Sequence, residues 1–379
     1  MELNEIRTRI DEIDTQLVDL YVRRMQVVAE VAESKRESGK AVRDHGRERA
    51  VLNRLTAQAG DALAPYVRDL YHLIFQQSRS YQASLLDQPS PLIQSIQAAC
   101  AACDGRRFPS RALIACQGTE GAYAQQACEK LFEYPAILYF DRFEGVFSAV
   151  EKGMCEYGVL PVENSTAGSV TQVYDLMERH SFHIVGARRL RVDHCLLRRP
   201  GATGPVRKVV SHEQALRQCS EYFGAHPEIQ AVPMSNTAVA AETVANTEEE
   251  GVAAIASRAC AELYGLEIVA EDVGNVQNNS TRFLCISRKP EIYPGARKMS
   301  VMFRLPHEPG TLSEILSRIS AAGVNLTKLE SRPIPGRDFE FRFFFDMEGD
   351  PRNPDIQRLI SELESRTEHF VFLGAYDER

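Results

Sequence analysis

Three stretches of the first 88 residues put charged and polar side chains where apolar ones are expected. Leu3, Ile6, Ile10, Ile13, Leu17, Leu20, Val27, Val28 and Val31 recur at three- and four-residue steps, which predicts a helix with one apolar stripe. Arg24 and Lys35 fall in the middle of that stripe, about 20° apart at the helical 100° per residue. A cation withdrawn from water needs a partner anion, so the pair asks for an anionic ligand. Arg7, on the flank of the stripe, lies about 25 Å from Arg24 along the helix axis. One small ligand cannot reach both in one chain, but a second copy packed antiparallel would bring its Arg7 near the first copy's Arg24. Asp44, Arg47 and Glu48 share a face by their i, i+3, i+4 spacing. Ser78 and Gln82 interrupt the apolar face formed by Val67, Tyr71, Ile74, Tyr81 and Leu85. Taken singly, each polar residue also fits a solvated edge or a structural ion pair. Taken together, they put polar groups from three helices inside apolar faces, where each needs a partner.

A second set of polar residues gathers at the ends of short apolar runs: QGTEGAYA (117–124), PVENSTAGS (161–169), VSHEQALRQC (210–219), MSNT (234–237) and QNNSTRF (277–283). Hydroxyls, amides and helix N-termini at strand ends suit a small anion in an α/β cleft. Each motif alone also suits a helix cap or turn. GTEGA is no phosphate-binding P-loop, because the Lys–Ser/Thr pair is missing from the required spacing.

These residues must be positioned by three kinds of element. Residues 1–88 read as helices, punctuated by Gly39 and Gly60 and closed by Pro89 and Pro91. Residues 89–110 read as a linker, helical in part. From 111 to 287, runs such as ALIAC (112–116), YGVLPV (157–162) and HIVGA (183–187) alternate with helical stretches, which predicts an α/β domain. Residues 288–298 read as a second linker. After it the order is strand (299–305), helix (311–322), two strands (near 325–333 and 339–347), helix (354–366) and strand (370–376), the βαββαβ ferredoxin-like arrangement.

The helical constellation resembles the chorismate mutase domain of the three-helix type. The resemblance implies an all-α, intertwined dimer in which Arg24, Arg47 and Arg7 of the partner subunit hold two substrate carboxylates. It implies Lys35 and Gln82 at the ether oxygen of chorismate, and Asp44 and Glu48, with Ser78 nearby, at the ring hydroxyl region. The residue types fit a Claisen rearrangement, which needs no nucleophile and no cofactor. The site must hold a flexible dianion in its reactive shape and stabilise charge growing on the ether oxygen.

PVEN followed by Gly, DHCLL (193–197), SHEQAL, LYGL (263–266) and NNSTRF resemble prephenate dehydratase in identity and order. This implies a two-lobed, periplasmic-binding-like α/β domain with its site in the cleft. The chain would cross to the second lobe and return before TRF. Thr281 would be the general acid for departure of the ring hydroxyl, Arg282 would bind or orient a carboxylate, and Glu163, Asn164, Ser211 and Gln218 would line the site. An unperturbed Thr hydroxyl is a poor acid and needs a polarising neighbour. His212 fits an acid and equally a helix cap. QGTEGAYA departs from the family pattern, in which Pro often follows the first Gly and Ser the aromatic residue.

HEPGTLSEIL (307–316) and NLTKLESRP (325–333) resemble an ACT regulatory domain. This implies L-phenylalanine binding between paired domains near Gly310, Thr311, Leu312, Asn325 and Leu326, with Glu330 and Ser331 in the ESRP tetrapeptide. Gly310 stands at a strand-to-helix turn where backbone approaches closely.

The whole chain therefore resembles the bifunctional enzymes that carry mutase, dehydratase and ACT domains in that order. The alternatives are a regulatory amino-acid-binding protein with inactive enzyme domains, and a dehydratase whose helices only dimerise. Chorismate, prephenate and L-phenylalanine are the expected ligands, and a homodimer or higher homo-oligomer the expected assembly. No cofactor or metal is expected. A formal net charge of -8 predicts no affinity for nucleic acid or anionic membranes. No run approaches transmembrane length, and MELNEIRTRIDEID lacks a signal peptide's apolar core. Nine scattered cysteines suit free thiols in a reducing cytoplasm. The CxxC of Cys100 and Cys103 has no second pair at zinc-site spacing.

Overall fold

The computed structural model describes residues 3–38, 45–86, 90–334, 336 and 340–378; Asp44 and the Lys35 side chain lie outside the described residues. The chain forms two compact units, residues 1–94 with 360–366, and residues 95–359 with 367–379.

The first unit is helical. α1 (Leu3–Ser38) runs 36 residues without Gly or Pro, which is what lets one helix carry both ends of the predicted pocket. α2 (His45–Ala59) and α3 (Ala64–Leu86) follow. Gly60, at φ +71, makes the turn between them. Val28 and Ala32 of α1 and Phe75 of α3 are buried, while Val27 and Val31 are exposed, so only part of the stripe is covered towards the C-terminal end of α1. Its remainder is not: Leu3, Ile6, Ile10, Ile13, Leu17 and Leu20 are exposed, Leu17 by 54%. Scattered surface leucines are ordinary, but a continuous apolar row on one helix marks an interaction face.

In the second unit, α4 (Pro91–Ala102) leads to a two-lobed α/β body. The first lobe contains β1 (Arg111–Gln117), α5 (Tyr123–Leu131), β2 (Tyr134–Phe140), α6 (Phe143–Glu151), β3 (Tyr157–Asn164), β4 (Gly168–Ser169), α7 (Thr171–Met177) and β5 (His183–Arg191). The chain then crosses to β6 (Cys195–Arg198), β7 (Lys208–His212), α8 (Glu213–Gln218), α9 (Ser220–Ala225), β8 (Gln230–Met234), α10 (Thr237–Asn246), β9 (Val252–Ala256), α11 (Arg258–Tyr264) and β10 (Glu267–Ala270). It returns to the first lobe as β11 (Ser280–Ser287). The sheet orders are β2-β1-β3-β11-β5, with β4 on β3, and β10-β6-β9-β7-β8. β1, β2 and β3 are parallel, and β11 runs antiparallel between β3 and β5. The returning strand is thus placed beside the strand that ends in PVEN.

The C-terminal part is β12 (Lys298–Arg304), α12 (Thr311–Ala321), β13 (Leu326–Pro333), β14 (Phe341–Glu348), α13 (Pro354–Arg366) and β15 (Glu368–Tyr376). Its antiparallel sheet has the order β13-β14-β12-β15, the expected ferredoxin-like topology. Strand alternation gives this sheet two faces. Met302 and Phe344 join Leu160, Val173, Tyr174 and Leu284 of the first lobe in one core, and the Phe344 and Tyr174 rings meet at 5.0 Å. Phe303 and Phe345 point the other way and pack ring to ring at 4.9 Å. At Gly374 (φ +151) a Cβ would collide with the Ile184 carbonyl, so the absence of a side chain lets β15 lie directly on β5. Residues 288–298 are no loose linker: Ile292, Tyr293 and Ala296 are buried, with Tyr293 edge-on to Phe108 at 5.3 Å.

Candidate active sites

The helical unit holds a cavity of about 380 Å³ lined by Arg24, Arg47, Glu48, Arg54, Ser78, Arg79 and Gln82, with apolar walls that include Val28, Val51 and Tyr71. α1 supplies Arg24, α2 supplies Arg47, Glu48 and Arg54, and α3 supplies Ser78, Arg79 and Gln82. Arg24 donates to Ser78 Oγ, which in turn donates to the Ile74 carbonyl one turn back. Ser78 and Gln82 are buried. Gln82 Nε2 donates to the Ser78 carbonyl at 3.3 Å, while its buried Oε1 has no hydrogen-bond partner among the described residues. An unmet amide oxygen of this kind is a strained arrangement unless a ligand or water meets it. Arg79 pairs with Glu48 at 2.5 Å. Arg7 is exposed on α1, in the uncovered part of the stripe.

In the two-lobed body, the register of β3 and β11 sets Asn164 opposite Thr281. Asn164 Nδ2 donates to Thr281 Oγ1 at 3.0 Å and to Asn279 Oδ1 at 2.7 Å. Its Oδ1 accepts from the Thr166 hydroxyl and from the backbone amides of Thr166 and Ala167, which ties the β3–β4 turn to the same side chain. Gln218, at the end of α8 in the second lobe, reaches Asn164 Oδ1 at 3.3 Å and Thr166 Oγ1 at 2.5 Å. Gln218 Oε1 accepts from Asn279 Nδ2 at 3.1 Å and lies 2.8 Å from His194 Nε2. Burial pulls the His194 pKa down, against the opposing pull of its Gln218 hydrogen bond, so a neutral ring donating from Nε2 fits the network. The result is a continuous set of amides and hydroxyls from both lobes around one Thr hydroxyl.

Consecutive strand residues face opposite sides of a sheet, and here the other side belongs to the C-terminal domain. Arg282, 4% exposed, donates to Asp346 Oδ2 at 2.5 Å and to the Tyr376 hydroxyl at 2.8 Å, with Glu378 3.2 Å from its Nε. Ser300 completes the set, donating to Asp346 Oδ1. Glu163 pairs with Lys328 at 3.2 Å. Ser169, its neighbour on β4, accepts from Lys328 and donates to Glu330 at 2.7 Å. Arg342 pairs with Glu178, whose carboxyl it holds below the ordinary range.

Residues 6–83 match the type II chorismate mutase family, residues 114–291 the prephenate dehydratase family and residues 299–365 the ACT domain. Across 98% of its length the chain is 32% identical to the bifunctional chorismate mutase/prephenate dehydratase of Escherichia coli K12, and covers 95% of that protein. The chain belongs to the bifunctional chorismate mutase/prephenate dehydratase family. Among solved structures, it is similar to GqqA, described as a novel type of quorum quenching acylase (34% identity, TM-score 0.64, 70% of this chain and 98% of that one). It is also similar to the prephenate dehydratase of Arthrobacter aurescens in complex with L-Phe (27% identity, TM-score 0.63, 70% and 89%).

Set against this family, the predicted residues sort into those brought together and those placed elsewhere. Arg24, Arg47, Glu48, Ser78 and Gln82 line one cavity in the mutase domain. Asn164, Gln218 and Thr281 meet in the dehydratase domain. Arg282 does not join them: the pleat turns it away from Thr281 into the ion pair with Asp346. Ser211 is likewise placed apart from the Thr281 cluster. It is fully buried and donates to the Ile255 carbonyl at 2.5 Å, locking β7 to β9 inside the second lobe. Glu163 faces Lys328 rather than the Thr281 cluster. His212 caps α8, accepting from the Gln214 amide. Of the ACT residues, Gly310 caps α12 at φ +90. Thr311 bonds the Pro306 and Glu308 carbonyls, and Asn325 donates to Glu348 at 3.1 Å. Along β13, Leu326 and Glu330 lie half-buried while Ser331 is exposed; Leu312, on α12, is half-buried. Cys100 and Cys103 are buried free thiols, as are the other seven cysteines. Among the described residues no helix is long and apolar enough to cross a membrane. Sequence reasoning missed Arg54, Arg79, His194 and Asn279. Only His194 and Asn279 lay inside quoted motifs, DHCLL and NNSTRF.

Proposed function

We propose that the helical domain rearranges chorismate to prephenate, that the two-lobed domain converts prephenate to phenylpyruvate, water and carbon dioxide, and that L-phenylalanine is the effector of the ACT domain. What supports the reading is that a chain related over nearly its whole length to bifunctional enzymes has two separate polar clusters, one of arginines with Glu48 and Gln82 and one of amides around Thr281.

In the mutase cavity, Arg24 and Arg47 offer guanidinium groups to the two carboxylates, with Arg7 of the partner subunit completing the grip. Holding the dianion in its chair-like shape removes most of the entropic barrier. Lys35 and Gln82 then meet the ether oxygen, where negative charge grows as the C–O bond breaks. Asp44 and Glu48 take the ring hydroxyl end. The exposed apolar row on α1 supports a second copy as the partner.

In the dehydratase cleft, the leaving hydroxyl needs one proton while the ring carboxylate leaves as carbon dioxide, its bonding electrons entering the ring. Thr281 supplies that proton. The Asn164 amide donates to the same oxygen, stabilising the charge that develops there and leaving the hydroxyl proton for the substrate. Gln218 and Asn279 hold Asn164 in place from the other lobe and the returning strand.

The test is turnover of each substrate by the full chain. Arg24→Ala should lose chorismate turnover by about 100-fold or more and keep turnover of added prephenate, and Thr281→Ala should do the reverse. A wild-type chain that leaves both substrates unchanged would sink the proposal.

A further inference from the structure

Arg79 lies between Ser78 and Gln82 on α3, at the edge of the polar face, and reaches across to Glu48 on α2. The pair is largely withdrawn from water, with side-chain exposures of 12% for Arg79 and 24% for Glu48. Both line the cavity, and among the described lining residues Glu48 is the one carboxylate beside Arg24, Arg47, Arg54 and Arg79. Arg79 bonds Oε1 of Glu48; among the described residues Oε2 takes no hydrogen bond.

We propose that Arg79 is a positioning residue of the mutase site, holding the Glu48 carboxylate against the cavity wall and leaving Oε2 for the ligand. The proposal rests on the mutase reading above. A carboxylate has room for about four hydrogen bonds, so one bond to Arg79 fixes its direction without filling it. Without Arg79, Glu48 would turn to the other cations of the cavity and leave its place at the ring hydroxyl end of the bound substrate. Committing one guanidinium to Glu48 prevents that turn and keeps the carboxylate where the transition state meets it. The arrangement also explains why a fourth arginine stands in a cavity meant for a dianion. Arg79 need not touch the substrate, and its influence passes through Glu48.

A double-mutant cycle in the full chain tests this, with chorismate as substrate. Arg79→Met should lower mutase kcat about 10-fold while KM changes by less than about twofold, and Arg79→Lys should restore most of the loss. Acting through Glu48, Arg79→Met should add nothing in a Glu48→Gln background. Turnover of added prephenate and thermal unfolding report whether each variant is folded. Arg79→Gln, which keeps a shorter polar stem, runs the same cycle if Arg79→Met fails to fold. Losses that multiply in the double variant would overturn the proposal, as would an Arg79→Met enzyme with wild-type kcat. A folded wild type inert towards chorismate would overturn the mutase reading itself, and this proposal with it.

Discussion

Arg282 and Asp346 form a buried ion pair, 2.5 Å between guanidinium and carboxylate, that joins the strand carrying Thr281 to the sheet of the ACT domain. Tyr376 and Ser300 supply further hydrogen bonds to the same two side chains, and Glu378 adds a second carboxylate 3.2 Å from the Arg282 Nε. Removing one partner leaves the other buried and uncompensated, at a cost of about 3–5 kcal/mol. Asp346→Ala should therefore lower the urea midpoint of the full chain clearly. Arg282→Met combined with Asp346→Leu should be more stable than either single variant, because both charges are gone. Unchanged unfolding of Asp346→Ala would show that the pair contributes nothing to holding the two domains together.

Asn164 makes the more direct claim on catalysis. Its amide is the group seen donating to Thr281 Oγ1, and its Oδ1 orders the turn that follows β3. Asn164→Ala should lower dehydratase kcat about 100-fold, within the span expected for losing a polarising group at a proton donor. Mutase activity, in a separate unit of the chain, should stay at the wild-type level. Asn164→Asp keeps the acceptor but loses the donor, and should be as slow as the alanine variant. A fast Asn164→Asp enzyme would mean that the turn, and not the donated hydrogen bond, is what matters.

Periodicity made the mutase site readable and left the rest of the chain harder to read. Arg24, Ser78 and Gln82 interrupt apolar stripes, and a polar group in such a place needs a partner, so one chain's sequence is enough to mark them. Arg79 and Arg54 sit at stripe edges, where charged residues are ordinary, and only the cavity shows what they face. Thr281 and Asn164 are far apart in sequence, and their bond depends on the register of β3 against β11. Arg282 follows from the pleat: next to Thr281 on a strand, it must face the other way. What no local pattern reveals is its partner, since Asp346 belongs to another domain. The burial of Ser211 is hidden for a similar reason, because it comes from β9 lying alongside β7.

His194 makes stability depend on pH. Burial lowers its pKa from the ordinary 6.5, so as pH falls the unfolded chain takes up this proton before the folded one does. The stabilisation is complete above about 6.5 and is lost as pH falls from there through the lowered folded value. Urea midpoints of the full chain should drop between pH 7 and pH 5, and the drop should be shallower in His194→Gln. Part of the slope should remain, because burial also lowers the pKa of His183. An equal slope in His194→Gln and wild type would show that His194 takes up its proton no later in the folded chain than in the unfolded one.

The exposed row from Leu3 to Leu20 and the position of Arg7 along α1 make one prediction about assembly. If each mutase site takes Arg24 from one subunit and Arg7 from the other, then Arg7→Ala and Arg24→Ala homodimers are each inactive at both sites. A mixed dimer differs: one of its sites carries both substitutions, and the other carries neither. Co-refolding equal amounts of the two variants yields mixed dimers as about half of the population, so mutase turnover should return to about a quarter of the wild-type value. Dehydratase turnover should be the same in both variants and in the mixture. If the mixture stays as inactive as its components, while mixed dimers are confirmed by tagging one variant, Arg7 and Arg24 act within a single subunit or not at one site. The antiparallel pairing of α1 helices would then be wrong, and the apolar row would need a different cover.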